Sequence, residues 1–245
     1  MANRLTKIVQ IFRAVLFYLA SLLILVVVGF SAALTSPFLS KQKTQYLINR
    51  FSVMILVMCE WICGIRYELE GQENMLDGPC VILCNHQSMW ETFLMQTLFF
   101  PLSSVLKKEL LNVPFFGRGA KKLDAIALDR SLPAQSYKQL IYVGTERLDD
   151  KRSVLIFPEG TRVRNGERAK FSRGGASLAH HAQVPILPVA HNSGLRWPFA
   201  NFVCTSGTIK VRIGAPIYPE GKSKRELYQL STCWIERNRD ELMTG

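Results

Sequence analysis

Asn85, His86, Ser88 and Glu91 stand in one short run, Asn-His-Gln-Ser-Met-Trp-Glu, directly after the apolar residues 79–83. Imidazole accepts a proton near neutral pH, and a carboxylate within reach fixes its tautomer and stabilises the imidazolium that forms. Along an unbroken helix a residue five positions on is rotated by about 140°, so His86 and Glu91 meet only if His86 precedes the helix. Ser88-Met89-Trp90-Glu91 supplies such a boundary, because it is a capping-box pattern. Two readings of the run stand side by side: a general base with its orienter, or a loop histidine beside a helix cap. Ser88 fits a cap better than a nucleophile, since the G-x-S-x-G elbow of serine hydrolases is absent.

A second constellation is Phe157-Pro158-Glu159-Gly160-Thr161-Arg162, again after an apolar run. Pro158 ends a strand's hydrogen-bond ladder, Gly160 permits close backbone approach, and the planar fork of Arg162 suits a phosphate. A plain turn with an incidental salt bridge is the alternative. A third contains Lys107, Lys108 and the turn Pro114-Phe115-Phe116-Gly117, followed by Asp129-Arg130. Its lysines suit an anionic head, and its phenylalanines suit either an acyl chain or core packing. Val184-Pro185-Ile186-Leu187-Pro188-Val189 reads as a buried strand with proline punctuation or as the lining of an apolar groove. Arg164, Arg168, Lys170 and Arg173 form either a solvated basic face or a surface for lipid phosphates.

The elements that must position these residues are short apolar runs alternating with helical spacing. Residues 81–83, 104–106, 125–128, 154–157, 186–190 and 209–213 read as strands, most of them buried. Tyr137, Leu140, Ile141 and Leu148 recur at helical spacing after Pro133, a good first-turn residue. Ser223-Lys224-Arg225-Glu226 is a capping box before Leu227, Leu230 and Trp234. The alternation predicts an α/β domain with a mostly parallel central sheet flanked by helices, and such sheets bind ligands beyond the ends of their strands.

Ahead of this pattern, no charged residue interrupts the chain between Arg13 and Lys41. A bilayer core of about 30 Å needs about 20 apolar residues in a helix, so the segment is long enough to span or be embedded. It exceeds the usual signal-peptide core of about 7–15 residues, although Ser31-Ala32-Ala33 offers small residues for cleavage. The second apolar stretch, 51–65, contains Glu60 and reads as an interfacial or re-entrant segment, or as the returning arm of a hairpin. Arg4, Lys7 and Arg13 on one side and Lys41, Lys43 and Arg50 on the other suit a hairpin with both ends on the cytoplasmic face. The division expected is 1–66 as membrane anchor or hairpin and 67–245 as catalytic domain. The net charge of +11 over 245 residues favours anionic partners. Nucleic acid fits that charge, but no recognised motif supports it and the membrane segment argues against it. The six cysteines include no C-x-x-C pair, which predicts reduced thiols on the cytoplasmic side and no metal site.

In this order the four runs at 85–91, 107–130, 157–162 and 184–189 resemble the 1-acylglycerol-3-phosphate acyltransferase family of glycerolipid acyltransferases. The resemblance covers about residues 79 to 190. It implies that His86, oriented by Glu91, deprotonates the sn-2 hydroxyl of lysophosphatidic acid as it attacks an acyl thioester, on acyl-CoA or acyl carrier protein, to give phosphatidic acid. It further implies that Arg162 and Arg130 hold the acceptor phosphate, that Lys107 and the Gly160 amide receive the oxyanion, and that Glu159 and Thr161 belong to the substrate loop. No cofactor or metal is implied, and the enzyme is expected on the cytoplasmic face of a bacterial inner membrane. Glu91 departs from the commoner aspartate. Glutamate here is also similar to the acyltransferases that finish lipid A, which leaves another lysophospholipid or a lipid A-type acceptor as the alternative. A non-catalytic lipid-binding protein would need the basic face but not His86.

Overall fold

The computed structural model of the protein describes residues 2–35, 37–199 and 201–244, with side chains from residue 7 onward in the first helix. Seven strands form one sheet: β1 (Ile65–Glu70), β2 (Val81–Cys84), β3 (Leu102–Lys107), β4 (Ile126–Leu128), β5 (Ser153–Ile156), β6 (Ile186–His191) and β7 (Gly207–Ile213). Their spatial order is β1-β7-β6-β2-β5-β3-β4. The five strands from β6 to β4 run parallel, β7 joins β6 antiparallel, and β1 runs parallel to β7. The α/β fold with a mostly parallel sheet is therefore as the alternation of elements predicted.

Helices cover both faces. They are α1 (Ala2–Thr35), α2 (Lys41–Trp61), α3 (Trp90–Leu98), α4 (Phe116–Lys122), α5 (Pro133–Asp149), α6 (Gly174–Ala182) and α7 (Lys224–Thr244). Because successive strand side chains point to opposite faces, β2 feeds two cores. Ile82 and Cys84 pack with Leu94 and Met95 of α3, Ile55 of α2 and Phe17 of α1. Val81 and Leu83 pack with Leu140 of α5, Leu178 of α6 and Leu227 of α7. All four β2 residues are buried, as a central strand covered on both sides requires.

Local signals placed several boundaries. Pro133 opens α5, and Ser223 with Glu226 closes a reciprocal capping box on α7, with Ser223 N–H donating to Glu226 at 2.7 Å and Glu226 N–H donating to Ser223 Oγ at 3.3 Å. The buried face of α5 differs from the apolar count. It consists of Ser136, Leu140, Gly144 and Leu148, while Tyr137 is exposed. A side chain at Gly144 would start 2.7 Å from Leu178 Cδ2, so close helix packing rather than hydrophobicity sets this face.

The apolar stretch 51–65 lies mainly in α2, the second helix of a hairpin with α1. The first half of α2 turns a polar face inward: Thr44, Gln45, Asn49 and Ser52 are buried. Arg152 explains this face. Its guanidinium donates to Gln45 Oε1 (2.9 Å), Ser103 Oγ (3.0 Å) and the carbonyls of Leu102 (3.1 Å) and Leu123 (2.9 Å), while Gln45 donates to Asp124 Oδ2 (2.7 Å). The helix is thus latched to the sheet by groups that would be costly to bury unpaired.

Among the described residues one helix is long and apolar enough to cross a membrane, α1 over Lys7–Thr35. It also touches the domain along its length. Phe17 stacks edge-on against Trp197 (5.2 Å), Tyr18 accepts from Trp197 Nε1 (3.1 Å), and Phe115 packs 3.0 Å from where a side chain on Gly29 would begin. Twelve helical residues cover about 18 Å. Full burial of a phenylalanine such as Phe17 contributes about 1.5–3 kcal/mol, so α1 is held by core packing as well as presenting apolar surface.

Candidate active site

The ends of the parallel strands converge on the residues singled out above. His86 follows β2, residues 157–162 follow β5 beside it, Lys107 ends β3, and Arg130 lies just beyond β4. The order of strands in the sheet, not their order in the chain, makes these four loops neighbours.

His86 lies in the turn before α3, which begins at Trp90. That placement overcomes the angular mismatch of five positions. His86 Nδ1 lies 2.8 Å from Glu91 Oε1. The same oxygen accepts the N–H groups of Gln87 (2.9 Å) and Ser88 (2.8 Å), and Ser88 Oγ accepts from Trp90 N–H (3.2 Å). Glu91 thus ties down the turn before α3 and holds the histidine ring from its own helix, while Ser88 accepts the first N–H of α3; Met89, at the helix boundary, makes no side-chain cap. Although burial alone would raise the Glu91 carboxyl, the imidazoles of His191 and His86 and the Ser88 N–H outweigh it and hold the group at about 2. An ionised carboxylate only accepts, so Nδ1 carries the proton and the lone pair of neutral His86 sits on Nε2. Nothing among the described residues hydrogen-bonds Nε2. The ring is stacked on Phe157, with centroids 4.0 Å apart, and keeps 17% of its side-chain surface exposed. Its free nitrogen is left open as a proton acceptor.

The loop after β5 clasps the histidine turn. Val163 N–H donates to the His86 carbonyl (2.8 Å), and His86 N–H donates to Glu159 Oε2. Glu159 is buried and makes no salt bridge among the described residues, so the incidental ion pair considered from sequence is not seen there. Its Oε1 has no hydrogen-bond partner. Burial pushes its carboxyl up to about 8, helped by Glu91 and Glu236 and only partly offset by His86 N–H and Arg239. Burial therefore favours the uncharged form of Glu159.

The Gly160 N–H, expected from sequence to receive an oxyanion, instead closes the turn on the Phe157 carbonyl at 2.9 Å. Gly160 has φ 69°, which is why glycine suits this position. Thr161 is exposed beside it. The Arg130 guanidinium carbon lies 4.0 Å from where a Gly160 side chain would start, so Arg130 reaches this loop. Arg162 lies over the Phe199 ring at 4.6 Å and makes no ion pair among the described residues. Phe199 N–H in turn donates to the Gln87 carbonyl (3.2 Å), which puts Arg162 beside the histidine turn. Next to it opens a cleft of about 420 Å³ lined by Gln87, Arg164, Asn165 and Phe199 among others. Lys107 is exposed at the tip of β3, with no hydrogen bond to His86 or its neighbours. Lys108, not Lys107, approaches Asp129 (3.5 Å).

Residues 66–192 match the family model described as Acyltransferase. Over 240 residues, 96% of this chain and 93% of the other, the sequence is 44% identical to a 1-acyl-sn-glycerol-3-phosphate acyltransferase of Pseudomonas aeruginosa. The chain belongs to the 1-acyl-sn-glycerol-3-phosphate acyltransferase family. It is also 30% identical over 199 residues to the human 1-acyl-sn-glycerol-3-phosphate acyltransferase alpha, covering 78% of this chain and 67% of that one. A crystal structure of the 1-acyl-sn-glycerophosphate acyltransferase PlsC from Thermotoga maritima superposes with a TM-score of 0.82 over 98% of both chains at 23% identity, which shows a common fold.

The acyltransferase site also contains residues that sequence reasoning missed. His191 and Ser193, at the end of β6, are fully buried beside Glu91. Ser193 Oγ donates to Glu91 Oε2 (2.8 Å), and His191 Nε2 donates to the Asn85 carbonyl (2.7 Å). The Asn85 side chain pairs with the His191 backbone, accepting its N–H (2.9 Å) and donating to its carbonyl (3.0 Å). His191-Asn192-Ser193, polar residues that close and follow the apolar strand β6, was the available signal. At the base of the site Gln87 Nε2 approaches Met243 Sδ (3.7 Å) and Asn192 donates to the Leu242 carbonyl (2.8 Å), so the end of α7 supports both turns.

Proposed function

We propose that this acyltransferase transfers a fatty acyl group from an acyl thioester to the sn-2 hydroxyl of 1-acylglycerol-3-phosphate, forming phosphatidic acid. The observation that carries the reading is the 2.8 Å contact of His86 Nδ1 with an ionised, buried Glu91, which leaves Nε2 basic and open. The acceptor hydroxyl loses its proton to Nε2 as its oxygen bonds to the thioester carbonyl. The tetrahedral intermediate then expels the thiolate, and the proton on His86 passes to that sulfur. A positioned base of this kind contributes roughly 10²–10⁴-fold. The printed names of the relatives support the acceptor.

Arg162, at the end of the loop after β5, and Arg130, whose guanidinium reaches Gly160 in that loop, are assigned to the acceptor phosphate. Lys107 remains the candidate for the oxyanion. Glu159 is assigned to holding the histidine turn through its backbone, and Thr161 to the rim of the loop. The donor is acyl-CoA or acyl carrier protein, and the net charge of +11 suits the acidic surface of a carrier. The exposed apolar face of α1 is assigned to the bilayer. Five buried free cysteines and one exposed suit a catalytic domain on the reducing, cytoplasmic face.

An acyl-transfer assay on purified membranes, crossing acyl-CoA and acyl carrier protein donors with several lysophospholipids, tests the reading. Wild type should acylate 1-acylglycerol-3-phosphate in preference to the others, and His86→Ala should abolish transfer. Undiminished transfer by His86→Ala would refute the assignment of the base.

A further inference from the structure

The carboxylate that orients His86 is anchored unevenly by its own loop. Oε1 receives His86 Nδ1 and the N–H groups of Gln87 and Ser88, all within five positions of Glu91. A carboxylate held through one oxygen can still pivot about it, and glutamate has one more rotatable bond than aspartate. Oε2 is fixed from elsewhere, by Ser193 Oγ at 2.8 Å, 102 positions along the chain. Glu91 and Ser193 are both 0% exposed, so bulk solvent does not compete for this bond. The serine is itself held. Its N–H donates to His191 Nδ1 (3.3 Å), and His191 is joined through Nε2 to the Asn85 carbonyl (2.7 Å), one residue before the base.

We propose that Ser193 is a positioning residue for acyl transfer: by donating to Oε2 it fixes the plane of the Glu91 carboxylate and so holds the His86 ring on one line of approach to the acceptor hydroxyl. The inference rests on the reading of His86 as the base. Ser193 also sets the electrostatics of the pair. The titratable groups facing Glu91 are His86 from its own turn, His191 from β6, Cys84 from β2 and, more distantly, Glu159 from the loop after β5. Burial lowers the His191 imidazole against the opposing pull of Glu91 and the Asn85 carbonyl, and its Nδ1 accepts from Ser193 N–H. Without the Ser193 hydroxyl, Oε2 is left with an unshared negative charge that stabilises the His86 imidazolium more strongly. The acid-side limb of the rate profile then moves to higher pH.

The test compares purified full-length wild type, Ser193→Ala, Ser193→Thr, Glu91→Gln, the Ser193→Ala/Glu91→Gln double variant and His86→Ala, using 1-oleoyl-glycerol-3-phosphate and the thioester that wild type accepts. Ser193→Ala is expected to lower kcat roughly ten- to hundredfold with little change in KM, short of the full contribution of the base, and to shift the acid limb upward. Ser193→Thr, which restores a hydroxyl, should recover part of kcat. On the Glu91→Gln background the same alanine substitution should cost no more than about twofold, because no anion is left to hold. If the threonine methyl disrupts folding, the limb and the double variant decide the matter. Wild-type kcat and an unmoved limb in Ser193→Ala, beside an inactive His86→Ala, would overturn this inference alone. An active His86→Ala would overturn the reading of the base as well.

Discussion

Glu91 accepts three hydrogen bonds on one oxygen and one on the other, and a glutamine there keeps an acceptor oxygen while losing the charge. Glu91→Gln should therefore lower kcat roughly 10²-fold, within the range of base catalysis, and lower the melting temperature at neutral pH, because the ionised carboxylate contributes to the fold there. Retained activity would show that the carboxylate ties down the turn but does not orient the base. The two buried carboxyls of the site respond oppositely to pH. Glu91, held at about 2, stabilises the fold above the ordinary carboxyl value and loses that contribution as pH falls toward 2. Glu159, raised to about 8, does the reverse: its cost to the folded state grows as pH climbs from about 4.3, the ordinary glutamate value, and is complete above about 8. Glu159→Gln cannot ionise, so its melting temperature should rise relative to wild type between about pH 5 and about pH 9. A constant difference across that window would contradict the buried neutral acid. The spacing of His86 and Glu91, with a serine between them, was legible because its geometry depends on neighbours in sequence. Ser193 was not, because only the pairing of β2 with β6 brings it to Glu91. Nor did sequence show that the Gly160 amide is already engaged within its own turn.

The strands that carry the site were readable as elements because β2, β5 and β6 are covered on both faces and leave uninterrupted apolar runs. β1 escaped notice for the opposite reason. It is an edge strand whose residues Ile65-Arg66-Tyr67-Glu68-Leu69-Glu70 are mostly exposed, so only Ile65 is fully buried. The inward polar face of α2 was hidden in the same way, since its partner Arg152 lies just before β5. That latch yields a prediction. Arg152→Met removes a buried cation and leaves the carbonyls of Leu102 and Leu123 and the Gln45 oxygen without their donor. A loss of about 3 kcal/mol is expected, within the range for breaking a buried charged cluster, measurable by urea unfolding in detergent micelles. A midpoint unchanged from wild type would mean that water or a neighbour replaces the guanidinium.

Across the whole molecule, α1 has two kinds of apolar residue. Leu19, Leu23 and Val27 are 61%, 64% and 54% exposed, whereas Phe17 and Ala14 are each 1% exposed against the domain. Replacing Leu19, Leu23 and Val27 together with glutamine should sharply reduce co-sedimentation with phosphatidylglycerol-containing vesicles, while leaving the domain folded by circular dichroism. Equal binding of the triple variant would place the membrane contact elsewhere. The sequence showed that this helix is greasy, but not that one side of it belongs to the core, because length and hydropathy do not distinguish lipid from protein as the apolar neighbour. The consequence of the Phe17–Trp197 and Gly29–Phe115 contacts reaches into protein production. Trimming residues 2–35 to obtain a detergent-free enzyme would strip the cover from Trp197, Phe202 and Phe115 and exchange one sticky surface for another, so solubility is better sought by recolouring the outer stripe of the helix than by deleting it.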